Sequence, residues 1–255
     1  MKVALFLKES IKESELPTLL ISKISEYGFS FDPENPDVVI FVGGDGTFLR
    51  AVQEYINQID RVKFVGINQG SLGFYADYLD SEIDRLFNDL SSDNYQSHSF
   101  SLLETNLNGD ILYSVNEVRI ENPFHTLTAN VLVNDIHFET YRGNGLCVST
   151  TLGSSAYNKS LGGAVVEPGL EVLQISEIAP INNRVYHSFG SSLLLSKDSV
   201  IRIEGEFYDA VVGYDHLTAS EEPHNIKIKL SDKKVTLIYK IDHSFVSHLH
   251  EAFLK

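Results

Sequence analysis

The residues Val38-Val39-Ile40-Phe41-Val42-Gly43-Gly44-Asp45-Gly46-Thr47 decide the fold of the N-terminal part of this chain. The apolar and mostly β-branched run predicts a strand buried on both faces, as in the parallel sheets of α/β proteins. The three glycines predict a tight turn, and the pattern from about Thr47 to Gln58 predicts a helix directly after it. A strand, a turn and a helix in this order are typical of an α/β domain.

The same alternation of strand and helix continues on both sides of this unit. Strands are predicted at Val3–Leu7 and Val62–Ile67, and helices at Ser14–Tyr27 and Ser81–Leu90. We therefore predict an α/β domain over residues 1–98.

The pattern changes after about residue 98. Apolar and polar residues alternate along Ile226–Leu230, and Val131–Phe138 predicts a hairpin that turns at Asn134-Asp135. The sequence thus predicts a β-rich domain over residues 99–240. Phe245, Leu249 and Phe253 recur at four-residue spacing after Asp242, which predicts a helix within 241–255 with Asp242 as its N-cap.

The composition limits the possible partners. The chain has 255 residues and 35 acidic against 20 basic ones, a net charge of −15, which argues against nonspecific nucleic-acid binding. No apolar run approaches the ~20 residues that span a bilayer. The single cysteine, Cys147, excludes an intrachain disulfide and any multi-cysteine metal site. We expect a cytoplasmic protein that binds neither nucleic acid nor a membrane.

The glycine turn predicts a phosphate site, because glycines allow close backbone approach and a helix N-terminus offers free N–H groups. The turn is neither a P-loop nor the dinucleotide fingerprint, since Leu49 stands where a third glycine would be required. Asp45 would repel phosphate unless it accepts a proton from an attacking hydroxyl or meets a magnesium ion carried by the phosphates. The alternative is that Asp45 only caps the following helix.

A second glycine turn, Asn68–Phe74, follows the next predicted strand. Two such turns at the ends of neighbouring strands would line one crevice. The alternative is an ordinary surface loop.

Three motifs occur in an order that resembles the signatures of the NAD kinases, which phosphorylate the 2′-hydroxyl of the adenosine ribose of NAD. They are Gly43–Thr47, Asn116-Glu117 and Gly153–Gly163, and Ile181–Tyr186 and Asp215-His216 extend the resemblance over essentially the whole chain. Diacylglycerol, sphingosine and phosphofructokinase families carry close versions of the first motif. The third motif is much more specific.

The resemblance implies a Rossmann-like α/β N-terminal domain, a β-sandwich-like C-terminal domain, and a C-terminal helix that returns to the first domain. It also implies ATP, or polyphosphate in some members, as the phosphoryl donor, with Mg²⁺ or another divalent cation carried by ATP. A homotetramer whose active sites are shared between subunits is implied as well.

The resemblance assigns roles residue by residue. Asp45 would be the general base, and backbone N–H groups of Gly43, Gly44, Gly46 and Thr47 would hold the donor phosphates. The implied NAD-binding set is Asp45, Gly46, Phe74, Tyr75, Asn116, Glu117, Arg142, Asn144, Ser155, Ala156, Tyr157, Asn158, Lys159, Ser160, Ala179, Tyr186 and His216.

Several members of this set have an alternative interpretation. Asn116 and Glu117 would bind the ribose hydroxyls, but consecutive strand residues reach one ligand only at a bulge or a strand end, so a solvated polar pair is the alternative. For Phe74 the alternative is core packing. The other histidines lack metal-ligand spacing, and His248 and His250 are predicted to be surface residues.

Three residues depart from the family pattern. Asn144 stands where an aspartate is common, and Thr151-Leu152 replaces a proline followed by a small hydroxyl residue. We expect weaker NAD affinity or altered tolerance around the nicotinamide side from these changes, without loss of activity. Two other functions remain open, a lipid kinase with the same glycine turn and a non-catalytic NAD(P)-binding sensor. The lipid kinase is disfavoured by the third motif and by the lack of a basic amphipathic segment, and the sensor is disfavoured by Asp45.

Overall fold

The computed structural model describes residues 1–69, 73–220 and 223–254. The chain forms two compact units, Met1–Ser99 together with Lys234–Lys255, and Phe100–Lys233. Residues 234–240, which the sequence placed with the β-rich domain, group with the first unit because the end of a long strand there pairs with Lys63 and Phe64.

The first unit is a parallel sheet with helices, as the strand–helix alternation predicted. Its strands are β1 (Lys2–Leu7), β2 (Ser30–Phe31), β3 (Val38–Val42), β4 (Lys63–Asn68) and β5 (Tyr78–Leu79), and its first helices are α1 (Leu16–Glu26), α2 (Asp45–Glu54) and α3 (Ile83–Ser92). Short 3-10 helices lie at Glu9–Ile11, Ile56–Gln58 and Asp80–Glu82. The strands run in the order β2-β1-β3-β4, and β5 and the end of the long strand pair with β4.

Strand β3 lies at the centre of this sheet. All of its residues are buried, which confirms the prediction of a strand covered on both faces. Ile40 and Val42 pack with Val65 and Ile67 of β4 and with Leu86 of α3 in one apolar cluster. This packing fixes the ends of β3 and β4, where the two predicted glycine turns begin.

The second unit is rich in β-sheet. Its strands are β6 (Tyr95–Leu107, which begins in the first unit), β7 (Asp110–Ser114), β8 (Glu117–Glu121), β9 (Leu127–Val133), β10 (Ile136–Gly143), β11 (Gly145–Ser149), β12 (Val172–Ile178), β13 (Leu193–Ser196), β14 (Ile201–Glu204), β15 (Val211–Tyr214), β16 (Leu217–Thr218) and β17 (Asn225–Lys240). A 3-10 helix (Leu152–Ser155) and the short helix α4 (Tyr157–Ser160) follow β11.

Two groups of antiparallel strands share one hydrophobic core in this unit. One group has the order β13-β12-β11-β8-β15-β16, and the other pairs β10-β9-β14 with the start of β17. Val148 of the first group and Ile203 of the second belong to the same buried cluster. The predicted hairpin is confirmed, because β9 and β10 pair across Asn134 and Asp135, whose positive φ angles of 51° and 65° suit a two-residue turn.

The C-terminal helix α5 (Phe245–Phe253) belongs to the first unit. Its N-cap is Ser244, whose hydroxyl accepts from the backbone N–H of Ser247, and not Asp242 as predicted. Asp242 instead forms a 2.7 Å ion pair with Arg85. None of the helices in the described ranges is long and apolar enough to span a membrane.

Candidate active site

The glycine turn adopts a conformation that requires glycine at its first position. Gly43 has φ +145°, and a Cβ there would lie 2.4 Å from the Thr47 hydroxyl oxygen. Gly44 is the N-cap of α2, and a Cβ on Gly44 or Gly46 would meet nothing within 4 Å. The turn therefore has free space around Gly44 and Gly46, where a ligand can approach the backbone.

Only part of the predicted phosphate-binding set has a free backbone donor. The N–H of Gly43 donates to the Ile67 carbonyl at 3.0 Å, and that of Thr47 donates to the Gly44 carbonyl at 2.8 Å. In this conformation the turn itself uses these two N–H groups, and their binding of phosphate stays a prediction. The first N–H groups of an α-helix lack partners within the helix. Among the described residues, the N–H groups of Gly46, in the first turn of α2, and of Gly44, its N-cap, are therefore the ones that can donate to a phosphate.

Asp45 is the first residue of α2, and the N-cap position before it is occupied by Gly44. Its Oδ1 accepts from the backbone N–H groups of Phe74 and Tyr75 at 2.7 and 3.2 Å. Within the described residues both hydrogen bonds fall on Oδ1, which leaves Oδ2 to accept a proton. The capping alternative is therefore excluded. Burial raises the pKa of Asp45, and the two N–H donors oppose that rise.

The second glycine turn reaches the same carboxylate. Residues 70–72 of the turn lie outside the described residues, but Gly73 is described, and a Cβ there would lie 2.7 Å from Asp45 Oδ1. Strands β3 and β4 are parallel neighbours, so the turns after them meet at one edge of the sheet, as predicted. Sequence reasoning missed Gly73, and the only signal for it was its place in the second turn.

Phe74 and Tyr75 differ in how their rings are placed. The Tyr75 ring is buried and packs 4.6 Å from the Phe48 ring in the core. The Phe74 ring is half-buried against Phe245 and Phe253 of α5. Both residues hold Asp45 through the backbone, a role that their aromatic character did not suggest.

Asn116 and Glu117 lie at a strand end, as required for both to reach one ligand. Asn116 directly precedes β8, which begins at Glu117. The buried Asp215 carboxylate fixes this position by accepting from the N–H groups of Val115 and Asn116 at 2.8 and 2.7 Å. The family motif pointed to Asp215 only as the neighbour of His216, and its structural role was missed.

The Glu117 side chain is buried in an electrostatically unfavourable place. One oxygen lies 3.2 Å from the Arg119 guanidinium, and the other is buried without a partner among the described residues. Burial, together with repulsion from Asp215, raises the pKa of Glu117 to about 7. A buried polar atom without a partner is costly.

Replacing Glu117 with glutamine is expected to change how stability depends on pH. The raised pKa means that the folded chain holds a proton that the unfolded chain releases between about pH 4.5 and 7, so the Glu117 contribution to the unfolding free energy falls as pH rises through that window. The stability of Glu117→Gln relative to the unsubstituted protein should therefore be greater at about pH 8 than at about pH 5, by on the order of 2 kcal/mol. Urea unfolding at both pH values measures this difference, with the exposed Glu206→Gln as control. If the difference in unfolding free energy between the variant and the unsubstituted protein is the same at both pH values, the raised pKa of the buried Glu117 carboxyl is contradicted.

The segment after β11 packs directly on Asn116. Gly153 lies so close that a Cβ would be 2.0 Å from the Asn116 carbonyl oxygen. Ser155 belongs to a 3-10 helix, and α4 contains only Tyr157–Ser160. This close approach brings two of the three family motifs together within one unit.

The side chains of this segment have different surroundings. The Tyr157 hydroxyl donates to Glu121 at 3.2 Å, and its ring lies 5.8 Å from the Arg119 guanidinium. Ala156 is half-buried, whereas Lys159 and Ser160 are exposed. Asn158 is fully buried, and its amide group bonds to Ser154, Ala164 and Ser176. The Asn158 side chain therefore holds this segment to its neighbours, and its place in the predicted NAD-binding set stays a prediction.

The residues predicted to complete the dinucleotide site lie in the second unit. Arg142 stacks 4.4 Å from the centre of the Tyr186 ring. Asn144 and Ala179 line one open pocket, and Ala179 has a positive φ of 46°. His216 is exposed on the turn that follows β15. The structure thus places Asn144 beside Ala179 and Arg142 beside Tyr186.

Comparison with protein families identifies both parts of the chain. Residues 4–95 match the ATP-NAD kinase N-terminal domain, and residues 115–239 match the ATP-NAD kinase C-terminal domain. The chain belongs to the NAD kinase family. Its glycine turn, Asp45 and Glu117 fall within the matched residues.

Curated relatives and solved structures agree with this assignment. The chain is 36% identical to NAD kinase 1 of Listeria monocytogenes over the full length of both chains. It is 38% identical to the NAD kinase of Streptococcus gordonii, covering 99% of this chain and 95% of the relative. The fold is shared with an NAD kinase from Archaeoglobus fulgidus in complex with ATP, with a TM-score of 0.81 at 21% identity over 99% of this chain and 98% of that one. Yeast NADH kinase complexed with NADH gives a TM-score of 0.80 at 19% identity, over 98% and 86% of the two chains.

Proposed function

We propose that this protein transfers the terminal phosphoryl group of ATP to the 2′-hydroxyl of the adenosine ribose of NAD, which gives NADP and ADP. The observation that carries the proposal is the Asp45 carboxylate, held on one oxygen by two backbone N–H groups at the end of a glycine turn. Family membership supports the substrate pair, since curated NAD kinases match the chain over its whole length.

Asp45 acts as the general base. The proton of the ribose hydroxyl passes to Asp45, the hydroxyl oxygen attacks the terminal phosphorus of ATP, and ADP leaves with the electrons of the broken bond. A raised pKa suits this role, because a base whose pKa lies nearer the working pH transfers protons more effectively.

The glycine turn binds the donor. Positioning and charge neutralisation dominate phosphoryl transfer, so backbone donors near Gly44 and Gly46 hold the phosphates at the start of α2. Mg²⁺ or another divalent cation arrives as part of the ATP substrate and neutralises the phosphate charge. This local compensation explains how a chain with a net charge of −15 binds two anionic ligands.

The second unit binds NAD. The buried, unpartnered oxygen of Glu117 is an acceptor for a ribose hydroxyl, with Asn116 beside it. Ser155, Ala156 and Tyr157 bind the adenine, and Arg142, Asn144, Ala179 and Tyr186 complete the dinucleotide site. Phe74 contributes the exposed part of its ring.

The exposed apolar residues around Tyr186 support a homotetramer that shares its sites between subunits. Val185 and Phe189 are 74% and 49% exposed, so both offer apolar surface to a neighbouring subunit. Sedimentation equilibrium should find four chains per particle, and a stable monomer would contradict the shared site.

The departures at Asn144 and Leu152 are expected to weaken NAD affinity. Asn144→Asp combined with Leu152→Ser should lower the KM for NAD in steady-state kinetics. The same variant should lose stability, because the Asn144 amide donates to the Asn122 carbonyl at 2.9 Å and Leu152 is only 6% exposed. An unchanged KM for NAD would show that these two residues do not set the affinity.

The activity is tested by incubating the protein with NAD, ATP and MgCl₂ and measuring NADP with an NADP-specific dehydrogenase. NADP should accumulate with ATP and NAD together and with neither alone. Replacing ATP with polyphosphate in a parallel reaction identifies the donor. NAD binding without NADP formation would favour the non-catalytic sensor.

A further inference from the structure

Three metal-ligating side chains meet in the first unit. Asp77, His243 and His248 each place one ligand atom within 4.8 Å of the other two. The Asp77 and His243 side chains are 12% exposed, and His248 is 7% exposed. The prediction that His248 lies on the surface is therefore wrong, whereas its neighbour His250 is exposed as predicted.

The surrounding structure holds these side chains in place. One oxygen of Asp77 accepts from the backbone N–H of Lys240 at 2.7 Å, and the other lies 3.1 Å from His243 Nδ1. The His243 ring stacks on Tyr239 at 4.3 Å, and its centre is 5.5 Å from that of the His248 ring. His248 Nε2 lies 2.9 Å from the Gly73 carbonyl oxygen. Two chain segments, residues 73–77 and 239–248, thus converge on one partly enclosed cluster.

The Asp77–His243 hydrogen bond does not require a second imidazole, so it does not account for His248 beside the pair. Two histidine nitrogens and one carboxylate are the ligand set of three-ligand zinc sites, which leave a fourth position open. Mg²⁺ prefers ligands that are all oxygen atoms. This cluster, with two imidazoles, therefore suits a different metal from the Mg²⁺ that accompanies ATP. In a tetrahedral zinc site the ligand atoms lie about 3.3 Å apart. The three ligand atoms lie within 4.8 Å of one another, so metal binding would have to draw them closer together.

We propose that Asp77, His243 and His248 form a binding site for a divalent transition-metal ion of the zinc type. The site neighbours the catalytic carboxylate, because His248 contacts the Gly73 carbonyl and the next residue, Phe74, donates to Asp45. This inference does not depend on the proposed function, since metal binding is measured without substrates.

The test is a zinc titration of chelator-treated protein in competition with a chromophoric chelator. The unsubstituted protein should bind one equivalent of Zn²⁺, which millimolar Mg²⁺ does not displace. His243→Ala and Asp77→Asn should each weaken binding by at least about 100-fold, more than the loss of an outer-shell partner costs. His250→Ala is the matched control, because it removes an exposed histidine from the same helix, and it should bind as tightly as the unsubstituted protein.

X-ray absorption of the zinc-loaded, unsubstituted protein provides a readout that needs no variant. It should show two imidazole nitrogens and oxygen at the metal. Absence of stoichiometric binding, a metal without two imidazoles, or affinity that survives His243→Ala and Asp77→Asn would each overturn the proposal. Equal loss in His250→Ala would also overturn it, since that result indicates a surface histidine site.

Discussion

Asp45→Asn is expected to lower the turnover number for NADP formation by about 10²–10⁴-fold, the usual contribution of general-base catalysis. The amide has nearly the same shape as the carboxylate, and its oxygen can still accept from the N–H groups of Phe74 and Tyr75. It cannot take the proton of the ribose hydroxyl. The fold and NAD binding should therefore survive while the chemical step fails.

Steady-state kinetics, NAD titration calorimetry and thermal unfolding separate these effects. The matched control is Asp110→Asn, which makes the same change at an exposed carboxylate of β7. Asp110→Asn should retain full turnover. If Asp45→Asn keeps the turnover of the unsubstituted protein, another group takes the proton and the assignment of the base is wrong.

Gly153→Ala is expected to give the second large effect. The added Cβ would lie 2.0, 2.4 and 2.6 Å from the carbonyl oxygen, carbonyl carbon and Cα of Asn116. These are backbone atoms next to β8, so they cannot move aside as a flexible side chain can. Overpacking of this kind costs about 1–3 kcal/mol of stability, and displacement of Asn116 should also raise the KM for NAD by at least about 10-fold.

Gly169→Ala is the control for this change. A Cβ at Gly169 meets nothing within 4 Å, and Gly169 does not have a positive φ. Thermal unfolding and NAD kinetics should find this variant close to the unsubstituted protein. A Gly153→Ala variant with unchanged melting temperature and unchanged KM would show that the segment after β11 does not set the position of Asn116.

The features that could be predicted from the sequence are local ones. The apolar run of β3, the glycine turn and the start of α2 follow from residues that are adjacent in the chain, and the structure reproduces them. The β9–β10 hairpin is equally local, since Asn134 and Asp135 supply the positive φ angles of its turn. In these cases backbone preference and burial pattern favour the same structure.

The features that could not be predicted depend on contacts between distant residues. The hydrogen bonds from Phe74 and Tyr75 to Asp45 join residues about thirty positions apart, and those from Val115 and Asn116 to Asp215 join residues about a hundred apart. No local pattern indicates such pairings. The motif alone also did not indicate that the buried Asn158 amide group bonds to Ser154 and to Ser176 of β12.

His248 shows how a sound local argument can give a wrong result. The i,i+2 spacing of His248 and His250 does make the two side chains diverge on α5, as expected for a helix. The sequence could not show that one of the two faces packs against the Gly73–Phe74 segment. The cluster of Asp77, His243 and His248 is therefore evident only in the structure.

Phosphoryl transfer from ATP to NAD can be followed with a label on the terminal phosphate of ATP. NAD, MgCl₂ and ATP labelled with ³²P in its terminal phosphate are incubated with the unsubstituted protein and with Asp45→Asn. The label should appear in NADP and should be released by a phosphatase specific for the 2′-phosphate, and Asp45→Asn should form the same product far more slowly. Binding of NAD without any transfer of label, or transfer that does not depend on Asp45, would contradict the role of Asp45 as general base in NAD phosphorylation.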